Sequence, residues 1–424
     1  MTDANKSIAE LMAAMGAAAR IASRALSGSS IDQRNSALRQ AAAEIRRRVP
    51  DILAANDSDL RKAQGKNLSV AMQDRLLLDA SRIEAMASGL EKVADLPDPL
   101  SRVIAEWEQP SGLHIQRVSV PLGVIGIIYE SRPNVTADAA GLCIKSGNAS
   151  ILRGGSESFE SSQAIYHCMR AGLFSAGIDE NAVQMVPTTD RAAVGFMLSS
   201  MADSVDVVVP RGGKNLIRRV QEEARVPVIG HLDGICHVYI HKDAEHDMAQ
   251  AIVVNAKMRR TGICGAAETI LVDRGAADRL LADLITALVE AGCEVRGDDT
   301  VRSINKQVIA ANESDWSTEY LDAIVSMRVV EDIDSAIAHI QTYGSGHTES
   351  IVTANESAAA SFLNRVDSAI VLHNASTQFA DGGEFGMGAE IGIATGRIHA
   401  RGPVGAEQLT SYKYVVRGTG QTRP

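Results

Sequence analysis

The strongest constraint on the fold of this chain is an alternation of two patterns that begins near residue 121. Short, continuous apolar runs such as 121–129 and 205–210 alternate with longer segments such as 158–174, where apolar residues recur at helical spacing. Buried strands separated by amphipathic helices are typical of a parallel, doubly wound sheet, because the connecting helices cover both of its faces. The pattern therefore predicts an α/β fold, in which ligands bind at the carboxyl ends of the strands.

The alternation forms two blocks, which predicts two α/β domains. The strands expected in the first block are 121–129, 149–153, 182–186, 205–210 and 226–230, and those in the second are 238–240, 268–272, 323–330 and 350–353. Before the first block, residues 8–95 carry the three- and four-residue apolar spacing of helices. Ser30 followed by Gln33 predicts the capped start of a new helix. Two alternating strands outside the blocks, 113–120 and 409–416, predict a β-flap that meets a neighbouring subunit.

Composition excludes several classes of function. A chain of 424 residues predicts two or three domains, and a formal net charge of -10 argues against nucleic acid as a main partner. The five cysteines are widely spaced without a CxxC pair, which favours neither a zinc knuckle nor a disulfide framework and is typical of a reducing compartment. With a polar N-terminus and no apolar run of 18 residues, we expect a cytoplasmic protein without a membrane span.

Cys264 is the strongest candidate for a nucleophile. It stands between Gly262 and Gly265, which leave room for a substrate, and it precedes an apolar strand. A reactive thiol also needs a field that favours the thiolate, and the nearby basic residues are candidates to supply it. These are Lys257, Arg259 and Arg260. The alternative interpretation is a buried structural cysteine, a common role for this residue type.

Two glycine-containing turns follow predicted strands and open predicted helices. Arg153 heads the first, followed by Gly154, Gly155, Ser156 and Glu157, and Arg211, Gly212 and Gly213 form the second. Backbone N–H groups at a helix N-terminus bind anions, and an arginine at a strand end suits a nucleotide 2′-phosphate. The GxGxxG fingerprint is absent, and an ordinary turn with a surface arginine is the alternative interpretation.

A third strand end carries Arg132 and Asn134. Arg132 is placed to meet a carboxylate or phosphate, and Asn134 to donate to an oxyanion, although Asn134 also suits the N-cap of the following helix. The segment 231–237 holds two histidines and an aspartate, but its spacing fits no common zinc site, so we predict no metal there.

Several longer motifs in this order resemble the aldehyde dehydrogenase superfamily, over nearly the whole chain. More narrowly, they resemble its members that reduce an acyl phosphate rather than oxidise an aldehyde. The motifs are residues 120–126 (VPLGVIG), 129–134 (YESRPN), 151–157 (ILRGGSE), 209–213 (VPRGG), 343–349 (YGSGHTE), 379–386 (FADGGEFG), 399–405 (HARGPVG) and 412–418 (YKYVVRG).

This resemblance implies roles for individual residues. Cys264 matches the nucleophile that forms a thioester, and Asn134 matches the residue of the oxyanion hole. Arg153 stands where many members carry a lysine that contacts the adenosine ribose, and Glu319 resembles the glutamate that orients the nicotinamide ribose. For Gly154, Ser156, Glu157, Gly212 and Gly213 we expect cofactor contacts, and for Arg132, Arg211 and His231 substrate contacts.

One departure from the superfamily bears on the reaction. Aldehyde-oxidising members carry a glutamate that activates water for thioester hydrolysis, whereas the corresponding segment here begins His231-Leu232-Asp233-Gly234. The absence of this glutamate favours acyl-phosphate reduction. An alternative is that His231 or Asp233 serves as the base that activates water. The alternatives are an aldehyde dehydrogenase that forms the acid without phosphate, and a binding protein that keeps the fold without the chemistry.

The resemblance also implies the reaction, the partners and the domain limits. The expected reaction is the NADPH-dependent reduction of L-glutamyl 5-phosphate to L-glutamate 5-semialdehyde in proline biosynthesis, with release of phosphate. The expected assembly is a homodimer or homotetramer, with a contact to glutamate 5-kinase. We place the cofactor-binding domain at 1–111 and 121–230, the catalytic domain at 231–395, and the oligomerisation flap at 112–120 and 396–424.

Overall fold

The fold is α/β, as the alternating pattern predicts. A computed structural model describes residues 8–64 and 70–423. The chain divides into two compact units: unit 1 comprises 1–230, 386–392 and 404–424, and unit 2 comprises 231–385 and 393–403. Within the described residues, no helix combines the length and apolar character needed to span a membrane.

Helices dominate the first part of unit 1, where the sequence predicts them. They are α1 (Ile8–Ser27), α2 (Ile31–Arg47), α3 (Val49–Gln64), α4 (Val70–Leu76) and α5 (Ala80–Asp95). The predicted helix start at Ser30 is confirmed, and it forms a capping box at the N-terminus of α2. The Ser30 hydroxyl accepts from the Gln33 N–H at 3.2 Å, and the Gln33 side chain accepts from the Ser30 N–H at 3.1 Å. This reciprocal bonding satisfies two backbone donors that the first turn of a helix leaves open.

Unit 1 is built around a parallel sheet of four buried strands. The elements are β3 (Val124–Tyr129), α6 (Val135–Lys145), β4 (Ala149–Arg153), α7 (Phe159–Ser175), β5 (Val183–Met185), α8 (Ala192–Ser199), β6 (Val207–Arg211) and α9 (Lys214–Glu223). The strand order is β5-β4-β3-β6. Because the chain runs outward from β3 to β5 and then returns to the other side of β3, the order reverses between β3 and β6.

The strand predicted at 226–230 is wrong. This segment makes one isolated bridge, between Val208 and Val228, beside the edge strand β6. Two backbone hydrogen bonds hold it there, from Val208 to the Pro227 carbonyl and from Ile229 to the Val208 carbonyl. Pro227 has no N–H to extend the ladder, so an apolar run typical of a strand remains an extended connection.

Unit 2 is built around a parallel sheet of seven strands, in the order β10-β9-β11-β8-β7-β12-β13. Helices α10 and α12 pack on it through apolar residues such as Ile252 and Leu284. The elements are β7 (Cys236–Ile240), α10 (His246–Met258), β8 (Ala267–Asp273), α11 (Arg274–Ala276), α12 (Ala282–Glu290), β9 (Glu294–Gly297), α13 (Asp299–Ile304), β10 (Ile309–Ala310), β11 (Ile324–Val330), α14 (Ile333–Tyr343), β12 (Thr348–Val352), α15 (Glu356–Arg365) and β13 (Ile370–His373). A short two-stranded pair, β14 (Ile393–Ala394) and β15 (Gly402–Pro403), follows.

A separate antiparallel sheet in unit 1 contains both strands predicted for the flap. Its order is β1-β2-β16, formed by β1 (Val103–Glu108), β2 (His114–Pro121) and β16 (Thr410–Arg417). Strand β1 lies in the segment that we assigned to the cofactor-binding domain, so the flap is larger than expected by one strand. Its surface carries an exposed aromatic pair, Trp107 and Tyr414, whose ring centroids are 6.2 Å apart.

Candidate active site

Three side chains meet at the amino edge of the unit 2 sheet. Cys264, His231 and His347 each lie a few residues before one of three neighbouring parallel strands, β8, β7 and β12. One nitrogen or sulfur atom from each lies within 4.8 Å of the other two. Parallel strands begin at the same edge of a sheet, so the topology brings together residues that are up to 116 positions apart. The prediction that ligands meet the carboxyl ends of the strands does not describe this group.

Cys264 differs from the other cysteines in exposure. It is partly exposed, whereas Cys143, Cys168, Cys236 and Cys293 are buried. Burial raises the pKa of the Cys168 thiol to about 11 and that of Cys293 to about 12. A buried thiol with a raised pKa is inert, and access is a requirement for a nucleophile. The structure therefore favours Cys264 over the alternative of a structural cysteine.

Hydrogen bonds fix the orientation of both imidazoles near Cys264. His231 Nδ1 donates to the Ile393 carbonyl at 2.6 Å, because a carbonyl can only accept, and the lone pair of the neutral ring is then on Nε2. His347 Nδ1 contacts the Thr348 hydroxyl at 2.8 Å, while its buried Nε2 has no hydrogen-bond partner among the described residues. The two rings pack edge to face, with centroids 4.7 Å apart.

The backbone around Cys264 is held by close packing. A Cβ added to Gly234 would lie 2.3 Å from the Cys264 carbonyl oxygen, so only glycine fits at position 234. Glu319 accepts from the Gly234 N–H at 2.9 Å, and the Cys236 thiol donates to the Cys264 carbonyl at 3.1 Å. Glu319 thus supports the loop that packs against Cys264, and its predicted contact with the nicotinamide ribose stays a prediction.

The expected field from Lys257 is absent. Lys257 and Glu268 are both buried, and the Lys257 ammonium lies 2.5 Å from the Glu268 carboxylate. Burial raises the pKa of Glu268 to about 7, although Lys257 opposes that shift. The lysine charge is therefore balanced within the protein, while Arg259 and Arg260 are exposed. The imidazoles of His231 and His347 are the ionisable groups that the geometry places beside the thiol.

Unit 1 contains a cavity of about 340 Å³ at the carboxyl ends of its strands. It lies at Ile128, Tyr129 and Arg153, where β3 and β4 end, and residues of helix α9, which follows β6, also line it. This position matches the predicted one, the point where the strand order reverses. Three guanidinium groups line the cavity, those of Arg153, Arg191 and Arg219, against one carboxylate, that of Glu130. Arg219 also pairs with Glu223 at 2.9 Å. Such a concentration of positive charge suits a phosphorylated ligand.

Arg153 is a buried residue, which excludes the alternative of an ordinary surface arginine. Its guanidinium donates to the carbonyls of Gly154 and Thr189, at 2.6 and 2.9 Å. Its Nε is buried and has no hydrogen-bond partner in the described part of the chain. Burial lowers the pKa of Arg153, and the charges of Arg191 and Arg219 act in the same direction. An anion in the cavity would relieve this repulsion.

A carboxylate of the chain binds the second glycine-containing turn, whereas the acidic residue of the first turn makes its hydrogen bonds outside that turn. Gly213, which caps α9, donates its N–H to Glu130 at 2.9 Å. Glu157 accepts from both the N–H and the hydroxyl of Ser131, at 2.6 and 2.8 Å. The predicted preference for negative charge is thus met internally at the second turn, and cofactor contacts from Gly154, Ser156, Glu157, Gly212 and Gly213 stay predictions.

Asn134 does not cap α6. Although it occupies the N-cap position, its side chain makes no capping hydrogen bond in the described structure, so that interpretation is wrong. Its amide instead donates to Asp138 at 2.9 Å. Burial raises the pKa of Asp138 to about 6, an effect that Asn134 and the charge of Arg211 oppose. Arg132 precedes this group on the same turn, and the substrate roles of Arg132, Arg211 and His231 remain predictions.

Sequence reasoning missed several residues of both sites. His347 was visible only as part of the motif at 343–349, and nothing in its local pattern indicates proximity to Cys264. Arg191 precedes an apolar helix, Arg219 lies on an amphipathic helix, and Asp138 is an acidic residue in the first turn of α6, so none of the three stands out in the sequence. A search for histidines just before predicted neighbouring strands would have found His347.

Known proteins resemble this chain over its whole length. The sequence profile described as "Aldehyde dehydrogenase family" matches residues 2–303. The gamma-glutamyl phosphate reductase of Parvibaculum lavamentivorans is 60% identical over 414 residues, 98% of each chain. That of Rhodopseudomonas palustris is 58% identical over 422 residues, covering 100% of this chain and 98% of the relative. The solved gamma-glutamyl phosphate reductase of Thermotoga maritima has a TM-score of 0.95 at 42% identity, over 97% of this chain and 100% of that one.

Proposed function

This chain belongs to the aldehyde dehydrogenase family and, within it, to the gamma-glutamyl phosphate reductases, and on that premise we propose a specific reaction for it. The chain reduces L-glutamyl 5-phosphate to L-glutamate 5-semialdehyde and releases phosphate, using NADPH and a thioester on Cys264, in proline biosynthesis. The observation that carries the proposal is the meeting of the exposed thiol of Cys264 with the imidazoles of His231 and His347.

In the first step the Cys264 thiol becomes a thiolate and attacks the acyl carbon. One of the two neighbouring imidazoles accepts the thiol proton, because a neutral imidazole carries a basic lone pair and both rings have a nitrogen within 4.8 Å of the sulfur. The new S–C bond replaces the C–O bond to the phosphoryl group, and phosphate leaves with the bonding electrons. The product of this step is a thioester on Cys264.

The negative charge on the carbonyl oxygen needs donors in the transition state. We assign this role to the backbone N–H of Cys264 and to the side-chain amide of Asn134, by analogy with the matching residue of the family. An amide carries two N–H donors, and Asp138 accepts one of those of Asn134. The other is available for an oxyanion, and the Asp138 carboxylate fixes the direction in which it points.

The second step reduces the thioester. A nicotinamide cofactor held in unit 1 would supply the hydride to the thioester carbon, and collapse of the hemithioacetal on Cys264 would then restore the thiolate and release the aldehyde. The cavity in unit 1 fits the phosphorylated end of such a cofactor, because three arginines line it and Arg153 has a buried Nε without a partner among the described residues. We assign Arg191 and Arg219, together with Arg153, to the 2′-phosphate, which favours NADPH over NADH.

The segment that lacks the catalytic glutamate supports reduction over hydrolysis. Asp233 and Gly234 occupy the segment in which aldehyde-oxidising members carry their catalytic glutamate, and Gly234 packs directly on Cys264. His231 is tied through Nδ1 to the Ile393 carbonyl. We further propose that the enzyme is cytoplasmic, that it is a homodimer or homotetramer joined through the flap, and that Arg132 and Arg211 bind anionic groups of the substrate.

The test runs the reaction in reverse, with glutamate 5-semialdehyde and NADP, with and without inorganic phosphate. We expect reduction of NADP that requires phosphate and falls by at least a thousandfold in Cys264→Ala. The matched control is Cys293→Ala, a buried cysteine of the same unit, which should retain activity. Turnover without phosphate would replace the proposal with aldehyde oxidation, and turnover that persists in Cys264→Ala would exclude the thioester.

A further inference from the structure

Cys264, His231 and His347 have the donor atoms of a zinc site, and these atoms lie within 4.8 Å of one another. We propose that these three residues bind one Zn²⁺ ion per chain, and that the bound metal reversibly blocks the thiol. All three proposed ligands lie in unit 2, so the site itself does not depend on the proposed function. Its inhibitory effect rests on the proposed function, in which Cys264 is the nucleophile.

The geometry comes close to that of a tetrahedral centre. The three ligand atoms lie within 4.8 Å of one another. Tetrahedral zinc, with bonds of about 2.3 Å to sulfur and about 2.0–2.1 Å to nitrogen, requires ligand separations of about 3.3–3.6 Å. Two ligand atoms at the 4.8 Å limit therefore need to approach by about 1.2–1.5 Å before both can bind one ion.

The hydrogen bonds of the two imidazoles resemble those of histidines that bind zinc. In zinc sites a histidine that binds through one nitrogen donates its other N–H to a carbonyl or another acceptor, which fixes the tautomer. His231 makes this contact with the Ile393 carbonyl at 2.6 Å, and His347 is held through Nδ1 by Thr348 at 2.8 Å. His347 thus keeps its buried Nε2 for the metal, and a ring nitrogen of His231 lies within 4.8 Å of the other two ligand atoms.

An independent observation also indicates a missing ligand. His347 is fully buried, and its Nε2 has no hydrogen-bond partner among the described residues. A buried polar atom without a partner loses its hydrogen bonds to water and gains none in return, so native structures rarely tolerate it. A metal bound by His347 and the neighbouring thiolate would satisfy this atom.

The choice of zinc follows from the donor atoms. A thiolate and two imidazoles suit borderline-soft ions such as Zn²⁺, whereas Mg²⁺ and Ca²⁺ prefer oxygen. The nearby Cys236 thiol is not counted as a fourth ligand, because it donates to the Cys264 carbonyl at 3.1 Å. Three protein ligands leave one position for water, an arrangement found in open zinc sites.

The direct test uses Co²⁺ as a spectroscopic probe of the purified, reduced protein. We expect one Co²⁺ per chain, a thiolate-to-cobalt charge-transfer band, the intense visible bands of tetrahedral cobalt, and their loss when Zn²⁺ displaces the cobalt. Cys264→Ser should abolish the charge-transfer band, and His347→Ala should weaken Co²⁺ binding at least tenfold. His347→Gln serves as a second variant if His347→Ala fails to fold.

The control is His246→Ala. His246 is a surface histidine that pairs with Asp247 and Asp283, so it is the group most suited to adventitious metal binding. We expect its removal to leave the charge-transfer band and the cobalt affinity unchanged. Cobalt binding without a thiolate band, or an affinity that depends on His246 and not on His347, would overturn the proposal.

Inhibition is measured separately. Zn²⁺ should stop turnover over the concentration range in which it displaces Co²⁺, should protect Cys264 from alkylation, and should be reversed by EDTA. A protein that binds cobalt through Cys264 but does not reduce L-glutamyl 5-phosphate would refute the proposed function and leave the metal site standing. A protein that turns over normally while saturated with Zn²⁺ would refute the inhibitory role.

Discussion

The side-chain amide of Asn134 donates a hydrogen bond to the carboxylate of Asp138, one helical turn further along α6, at 2.9 Å. The two residues are four positions apart, a spacing that places side chains on the same face of a helix. The contact takes Asn134 away from helix capping and fixes the direction of its amide. Asp138 is therefore a positioning residue for the proposed oxyanion donor.

We predict that turnover falls as the pH is lowered through about 6. Burial raises the pKa of Asp138 to about 6, so its carboxylate is ionised above that pH and becomes protonated below it. Protonation weakens the acceptor that orients Asn134. The amide of Asp138→Asn accepts at every pH, so this variant should lose the acidic limb of the kcat profile while keeping a lower plateau.

The matched control for this pH dependence is Asp203→Asn, an exposed carboxylate of the same unit. Its profile should keep the acidic limb. An unchanged limb in Asp138→Asn would show that another group is responsible for the pH dependence.

Substitutions of the buried pair Lys257 and Glu268 should have non-additive effects on the free energy of unfolding. Lys257→Met leaves a buried carboxylate without its partner, which typically costs about 3–5 kcal/mol. The loss should be larger at pH 8.5 than at pH 6, because Glu268, whose pKa burial already raises to about 7, becomes protonated at low pH. Urea unfolding at both pH values measures it.

A double variant decides whether this cost comes from the isolated charge. Adding Glu268→Gln to Lys257→Met removes the unpaired carboxylate and should recover part of the lost stability. If the two substitutions were additive, the ion pair would contribute nothing beyond the packing of its two side chains.

Arg191 and Arg219 should determine the preference for NADPH. Removing a charged hydrogen bond to the 2′-phosphate costs about 1.5–3 kcal/mol, or roughly a ten- to hundredfold increase in the KM for NADPH. Arg191→Ala and Arg219→Ala should leave the KM for NADH nearly unchanged, because NADH lacks that phosphate. Arg39→Ala, a surface arginine paired with Asp95, is the control. Equal losses with both cofactors would assign the arginines to another part of the ligand.

The flap should carry the subunit contact. Tyr414 is 57% exposed and, with Trp107, forms an aromatic surface on the antiparallel sheet. A buried charge at such an interface is costly, so Tyr414→Asp should reduce the mass measured by light scattering to that of a smaller assembly. Phe174→Asp changes a residue that is 74% exposed on α7 and should not alter the mass. An unchanged assembly in Tyr414→Asp would place the interface elsewhere.

Local features of this protein were predictable from sequence. The capping box of Ser30 and Gln33 depends on residues three positions apart, and the strands β3 and β8 depend on continuous apolar runs. The wrong prediction of a strand at 226–230 also has a local cause. The apolar pattern is that of a strand, but Pro227 has no N–H to donate to a neighbouring strand. The cavity in unit 1 was also predictable, since it follows from the order of strands and helices along the chain.

The amino-acid sequence by itself determined the α/β fold, the family and the identity of Cys264 as the candidate nucleophile, because these depend on periodicity and on motifs in a fixed order. Only the tertiary structure placed His231 and His347 beside Cys264, since long crossover connections bring distant segments to one edge of a parallel sheet. It also decided that Lys257 is paired with Glu268 instead of acting on the thiol. Burial and partners set the charge that a side chain presents, and neither can be read from its neighbours in sequence.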